Sequence, residues 1–159
     1  MAYLVKLKEL LQTGRLGEIY LGQLENEVFN ILGTPDYAHA GTRNSRRLSL
    51  FSYGELEFYF DDSSRNLTLI NLNFLSFWQR EIPSGGERLQ IDPWVLKAGL
   101  GPEDLIKYLN QEAIYYCDVE PINFNTRQLL VNKTTTLIFN DVTEESGERV
   151  GLCKVFAGI

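Results

Sequence analysis

The sequence has 159 residues, a formal net charge of −6 and a hydrophobic fraction of 44%. This length suffices for one well-packed core or for two small fused units, and the composition is typical of a soluble globular domain. The acidic charge disfavours direct binding to nucleic-acid phosphates and anionic lipid headgroups, and no apolar run reaches the ~18 residues that a membrane-spanning helix needs.

The first half of the chain opens with two helix signals. Apolar residues three and four apart over residues 4–11 predict an amphipathic helix that ends at Gly14. A second helix is predicted from about residue 24 to residue 32, closed by Gly33 in the left-handed conformation. The polar residues that follow, 36–46, are expected to form a loop.

Strand signals then fill the rest of the first half. Apolar and polar residues alternate in three runs separated by short turns, which is typical of antiparallel hairpins with one buried face. The predicted strands cover residues 47–53, 56–60 and 67–77, with turns at 54–55 and 61–66.

The second half begins after a predicted linker at residues 79–92, which contains Pro83 and two consecutive glycines. A short helix is expected at residues 93–98 with Asp92 as its cap, and a longer one from Pro102 to about Asn110. The remaining runs predict four more strands, at residues 113–119, 127–131, 134–140 and 150–156.

Three pairs of segments match between the halves, which predicts an internal repeat. Residues 24–32 match residues 101–109 in their apolar positions, residues 56–62 match 135–141, and residues 69–74 match 151–156. The predicted fold class is therefore α+β: two tandem copies of a helix plus an antiparallel β-meander, with the helices packed on one face of the sheet. The predicted units are residues 1–78 and 93–159 around the linker at 79–92, and a single continuous domain is the alternative.

The chain lacks the patterns that catalytic and metal sites require. His39 is the single histidine, so neither a nucleophile–base pair nor a histidine metal site is indicated. No glycine loop has the spacing of a phosphate-binding site. Cys117 and Cys153 lie in apolar runs and are expected to be buried and reduced. We therefore expect a protein that is not an enzyme and that uses no metal and no cofactor.

The sequence offers two candidate binding sites. On strict alternation Glu57 and Tyr59 face away from the core, and tyrosine beside carboxylates is typical of protein-binding surfaces. The first candidate surface, for a basic protein partner, consists of Glu55, Glu57, Tyr59, Asp61 and Asp62. The alternative is a small-ligand pocket between the halves near Trp78 and Trp94, although these tryptophans are also suited to joining the halves.

Residues 19–36 resemble the opening of small bacterial helix-plus-meander modules, in which a Leu-Gly lead-in precedes a helix that ends in Leu-Gly-x-Pro. Such modules include the outer-membrane assembly lipoproteins of the SmpA type and the tandem-repeat β-lactamase inhibitor proteins. Residues 53–60 and 69–74 also look like strands of bacterial proteins thought to be immunity proteins. The resemblance implies a duplicated binding scaffold and does not indicate a particular target. Charges at residues 6, 8 and 9 interrupt any signal-peptide pattern, so a cytoplasmic location is expected.

Overall fold

The computed structural model describes residues 2–40, 48–74, 82–121, 125–140 and 151–158, which form an α+β fold with a mostly antiparallel sheet. The helices are α1 (Leu7–Thr13), α2 (Glu25–Leu32) and α3 (Pro102–Gln111). The strands are β1 (Tyr3–Lys6), β2 (Arg15–Leu16), β3 (Ile19–Tyr20), β4 (Tyr37–Ala40), β5 (Leu48–Tyr53), β6 (Leu56–Phe60), β7 (Leu67–Asn73), β8 (Leu89–Asp92), β9 (Tyr116–Val119), β10 (Thr126–Val131), β11 (Thr135–Asn140) and β12 (Gly151–Gly158). Within the described ranges, no helix has the length and apolarity needed to cross a bilayer.

Eight of the strands form one sheet in the order β4-β5-β6-β7-β12-β11-β10-β9, and every neighbouring pair is antiparallel. Strands β4 to β7 make one meander and strands β9 to β12 make another. The two meanders join through their last strands, β7 and β12. Residues 81 to 89 positions apart in sequence therefore become neighbours at the centre of the sheet.

One face of this sheet contributes to a hydrophobic core that also contains residues of α1, α2 and α3. Leu10, Val28 and Leu105 on the helices belong to the same buried cluster as Phe58 on β6 and Leu137 on β11. Burial of each such side chain contributes roughly 1.5–3 kcal/mol. The core thus holds inward positions from both meanders, across the predicted linker.

Strand β6 shows why the opposite face is polar and aromatic. Leu56, Phe58 and Phe60 are buried, whereas Glu57 and Tyr59 between them are half-buried. Successive side chains on a strand point to opposite faces. Glu57 and Tyr59 therefore lie on the face away from the core, as their alternation predicts.

The predicted helices at residues 24–32 and 102–110 are confirmed as α2 and α3. The predicted helix over residues 4–11 is wrong at its start, because the chain is extended as far as Lys6 and pairs in parallel with β8. A short apolar run is compatible with a strand as well as with a helix. Here the pairing with β8, whose residues lie 86 positions away, makes the segment a strand. Gly33 has a positive φ of 79° but an extended ψ of −160°, so it ends α2 without the left-handed conformation.

Two further predictions are wrong. Residues 37–40, expected in a loop, form edge strand β4, while residues 41–46 of that loop lie outside the described residues. Residues 93–98, expected to be helical, form turns. Asp92 does accept the Trp94 backbone N–H at 3.0 Å, but Trp94 has a φ of 54°, which a right-handed helix does not permit. Strand β8 occupies the end of the segment interpreted as a linker.

Candidate functional site

A row of side chains crosses the sheet face opposite the core and includes Glu57. The strand register places one residue of each strand in this row, and the row joins both meanders. From β4 to β9 it consists of Tyr37, Ser52, Glu57, Asn71, Phe156, Thr136, Leu130 and Cys117. We call this set the outward row.

The centre of the outward row is a carboxylate held by two hydrogen bonds. The Tyr59 hydroxyl donates to Glu57 Oε2 at 2.9 Å, and the Asn71 amide Nδ2 donates to the same oxygen at 2.7 Å. Hydrogen bonds to a charged acceptor are stronger than neutral ones and hold it in place. Glu57, Tyr59 and Asn71, here called the Glu57 cluster, therefore form a preorganised group.

Two acceptor atoms of the Glu57 cluster receive no hydrogen bond from a described donor. Glu57 forms no ion pair with any residue in the described ranges, and both of its hydrogen bonds end on Oε2, which leaves Oε1 without one. Asn71 is 4% exposed, and its carbonyl oxygen Oδ1 is buried without a hydrogen-bond partner among the residues that the structure describes. A buried polar atom without a partner is unfavourable and uncommon in folded proteins. The cluster is thus rich in acceptors and short of donors.

Tyr59 stays protonated across the physiological pH range. Partial burial, its hydrogen bond to Glu57 and the charge of that carboxylate together raise the pKa of Tyr59 to about 12. The hydroxyl proton is therefore retained on the tyrosine and donated to Glu57. The pair is a fixed donor and acceptor, not a general acid–base couple working near neutral pH.

The surroundings of the Glu57 cluster are aromatic and carry few charges. Phe156 lies beside Asn71 in the register, and the Lys154 ammonium stands 5.6 Å from the centre of its ring. Among the described positions on the outward face of the eight-stranded sheet, Glu57 is the one carboxylate and Lys154 the one amine. The acidity of the chain is therefore not spread over this face, and its negative charge is local to Glu57.

The other predicted surface residues lie at the two ends of β6. Glu55 accepts the Ser84 backbone N–H at 2.6 Å at one end. Asp61, at the other, accepts the backbone N–H groups of two serines in its own turn at 3.0 and 2.7 Å. These bonds and that of the Ser64 hydroxyl hold the pKa of Asp61 below its ordinary value. Glu55 and Asp61 are roughly 20 Å apart along the strand. The five predicted residues thus form no single cluster.

Asp62, the last of the predicted acids, is close to a cation of its own chain. Its carboxylate lies 3.9 Å from Arg65, which also pairs with Glu25 at the start of α2. Asp61 and Asp62 therefore stabilise the turn between β6 and β7 and its contact with α2. Glu57 and Tyr59 are the predicted residues that the structure brings together.

Trp94 lies against the helices. Its ring meets that of Tyr108 on α3 edge-to-face at 6.1 Å, and the Lys8 ammonium of α1 stands 5.6 Å from its centre. Lys8 also pairs with Glu112 at 2.8 Å. Trp94 therefore contacts both α1 and α3. Trp78, the other predicted pocket residue, lies outside the described residues.

A cavity of about 480 Å³ lies elsewhere, between α2 and the β4–β5 edge of the sheet. Phe29, Pro35, Ala38 and Phe51 form its apolar lining, and Phe29 is 41% exposed at its mouth. The size and lining are those of small-molecule sites. It belongs entirely to the first half of the chain and is not lined by Trp94.

Sequence reasoning missed Asn71 and Phe156. Asn71 occupies an outward position in the alternating run Leu69-Ile-Asn-Leu-Asn, so its face was predictable. Its position opposite Glu57 depends on the register across the 61–66 turn. Phe156 reaches the site through the pairing of β7 with β12, for which no local signal exists.

Within the described part of the chain, no group of three or more His, Cys, Asp or Glu residues is placed to hold a metal ion. Compared with protein families, curated proteins and solved structures, the chain matches no family model, no curated protein and no solved structure. The function of this chain is therefore inferred from the site itself.

Proposed function

We propose that this protein is a non-catalytic binding module that masks a basic protein partner, in the manner of bacterial immunity and inhibitor proteins. The observation that supports the proposal is the Glu57 cluster: a fixed, half-buried carboxylate that pairs with no cation among the described residues, in a row that also holds aromatic, aliphatic and uncharged polar side chains. Interfaces of this kind use a few aromatic and charged anchors surrounded by apolar contacts.

The negative charge of the chain favours a basic partner both at long range and at the point of contact. The net charge of −6 attracts a basic protein from a distance and raises the rate of encounter. At contact, Glu57 offers one unneutralised carboxylate to a cation of the partner. The charge is weighted to residues 81–159, which hold 7 basic and 12 acidic residues against 8 and 9 in residues 1–80.

The proposal includes the tandem architecture that the sequence predicts, two helix-plus-meander copies with helices on one face of the sheet. The strand order supports it, since two meanders of four strands each meet through their last strands. A duplicated scaffold builds a wide face from two small units, and the outward row crosses both of them. A cytoplasmic location is part of the same proposal.

The test is capture of partners with three tagged baits from the lysate of the source cells, eluted by rising salt. We expect the wild-type chain to retain one basic protein, which purified components then bind in the same way. Glu57→Gln keeps the side-chain shape and should weaken that binding about tenfold or more. Glu87→Gln removes the same charge from an exposed turn residue and is the control.

Two results would contradict this proposal. One is a purified partner that binds wild type and Glu57→Gln with equal affinity, which would remove the Glu57 face from the interface. The other is an eluate whose proteins bind all three baits and show no excess of basic residues. That result would mean that the wild-type chain selects no partner by its charge.

The α2 cavity favours a second function, binding of a small apolar ligand. A thermal-shift screen against a metabolite library tests it, with Ala38→Trp as the variant whose ring fills the cavity. A true ligand should raise the melting temperature of the wild type and leave that of Ala38→Trp unchanged. Equal shifts in both proteins, or no shift in the wild type, would exclude the cavity as a ligand site.

A further inference from the structure

Glu57 Oε1 and Asn71 Oδ1 are neighbouring acceptors that no described donor satisfies. The Asn71 amide binds Glu57 through Nδ2, so Oδ1 sits on the same amide carbon, beside the carboxylate. Glu57 has no ion pair among the described residues, and Oδ1 is buried without a partner. A group that completes this cluster must be cationic and must supply at least two N–H donors.

We infer that the Glu57 cluster is a receptor for an arginine side chain of the protein partner, with the guanidinium bound between Glu57 and Asn71. This inference rests on the proposed function and names the chemistry of its central contact. A guanidinium is a rigid planar fork with five donors, so it can satisfy two adjacent acceptors at once. A lysine ammonium is a compact, strongly hydrated charge and suits such a pair less well.

Aromatic rings beside the acceptors favour the same ligand. Tyr59 lies on β6 next to Glu57, and Phe156 lies next to Asn71. Guanidinium groups stack on aromatic faces more readily than ammonium groups do. The Lys154 ammonium over Phe156 shows that this ring already accepts a cation.

Access to the two acceptors differs. Oδ1 of Asn71 is covered in the free chain, so a guanidinium binds first to Glu57 and reaches Asn71 as neighbouring side chains change rotamer. Rotamer changes of this kind are common when interfaces form. Binding then relieves the unfavourable burial of Oδ1, which adds to its affinity.

Lys154 opposes binding. It is the one amine at the described positions on the outward face of the eight-stranded sheet, and a second cation near Phe156 is repelled by it. Removal of its charge should strengthen binding of a guanidinium. This direction is specific to a cationic ligand, since a neutral or anionic ligand would gain nothing or lose affinity.

The experiment is an NMR titration with N-acetyl-arginine amide, with the citrulline and lysine analogues as probes of charge and shape. We expect saturable shifts of the Asn71 side-chain amide signals with arginine, weaker binding of the lysine analogue and no saturation with citrulline, whose urea group is neutral. Glu57→Gln should weaken arginine binding about tenfold. Lys154→Met should strengthen it about twofold or more, and Glu87→Gln should leave it unchanged.

Several outcomes would overturn the inference: arginine and citrulline shifting the same signals alike, no saturable shift at Asn71, or equal affinity in Glu57→Gln. The isosteric Glu57→Gln avoids the loss of folding that Asn71→Ala risks. Failure of the inference and failure of the proposed function are distinguishable. A partner captured through Glu57 without arginine binding refutes the inference alone, while arginine binding without any basic partner refutes the proposed function alone.

Discussion

Replacing Asn71 by aspartate tests the geometry of the Glu57 cluster most severely. The Asn71→Asp change keeps the shape of the side chain but exchanges the Nδ2 donor, 2.7 Å from Glu57 Oε2, for a second carboxylate oxygen. The lost hydrogen bond to a charged acceptor costs about 1.5–3 kcal/mol. Repulsion between two carboxylates about 4 Å apart adds up to about 4 kcal/mol at an effective dielectric constant near 20.

The variant can avoid this repulsion by keeping the introduced carboxyl protonated. Burial and the charge of Glu57 then raise the pKa of the introduced carboxyl in the folded state. Its contribution to stability is therefore present at a pH below the pKa that this carboxyl has in the unfolded chain, and it is lost as pH rises. Keeping this carboxyl protonated in the folded state costs about 1.4 kcal/mol for each pH unit between about pH 4 and pH 7. We expect Asn71→Asp to lose about 3–4 kcal/mol near pH 7 and about 1 kcal/mol or less near pH 4.

Urea unfolding at both pH values measures this difference. The control is Asn73→Asp, on the same strand and face but paired with Lys154 in the register, where a new carboxylate should be neutral or slightly stabilising. Adding Glu57→Gln to Asn71→Asp should restore most of the loss at neutral pH. Equal, pH-independent effects of Asn71→Asp and Asn73→Asp would refute the contact between Asn71 and Glu57.

Three further predictions concern the scaffold. Burial raises the pKa of Tyr53 to about 12, so its contribution to stability is present below about pH 10 and lost as pH rises toward 12. Tyr59 contributes a loss over the same range, so an alkaline unfolding series should show a loss that is about 2 kcal/mol smaller in Tyr53→Phe than in wild type. Gly54 has a φ of 60°, and a Cβ there would meet the Ser84 carbonyl oxygen. Gly54→Ala should therefore lower the free energy of unfolding by about 2–4 kcal/mol. Gly22 has a φ of 93° with open space around it, so Gly22→Ala should lower it by only about 1 kcal/mol. Asn132 has a φ of 48°, and its Nδ2 donates to two carbonyl oxygens at the end of α1, at 2.8 and 2.6 Å. Asn132→Gly keeps the turn but removes these hydrogen bonds, so thermal unfolding should show a loss of about 1–2 kcal/mol in stability. An unchanged melting temperature would show that this contact between the halves is not stabilising.

Local signals in the sequence predict the elements whose residues interact with near neighbours. Pro102 at the first turn and the buried pair Leu105 and Leu109 define α3 correctly. The predicted strands at 127–131 and 134–140 leave Asn132 and Lys133 to connect them, and both residues adopt the positive φ that such a tight turn requires. These features depend on a few consecutive residues and need no knowledge of the rest of the fold.

Elements that depend on distant partners are the ones the sequence does not predict. Strand β1 is extended because β8 pairs with it, and β4 is a strand because β5 continues the sheet to its edge. The same holds for the candidate site. Alternation places Glu57 and Tyr59 outward, but the registers that bring Asn71 and Phe156 beside them are tertiary facts.

The most direct test of the central claim, that the outward row is the interface with a basic protein, is site-specific photocrosslinking. A photoreactive phenylalanine at Ser52, next to Glu57 in the outward row, is compared with the same residue at Tyr108, which is 38% exposed on α3. We predict a single adduct with a basic protein from position 52, lost in the Glu57→Gln background, and none from position 108. Adducts from position 108 alone, or an adduct from position 52 that persists in Glu57→Gln, would contradict the account.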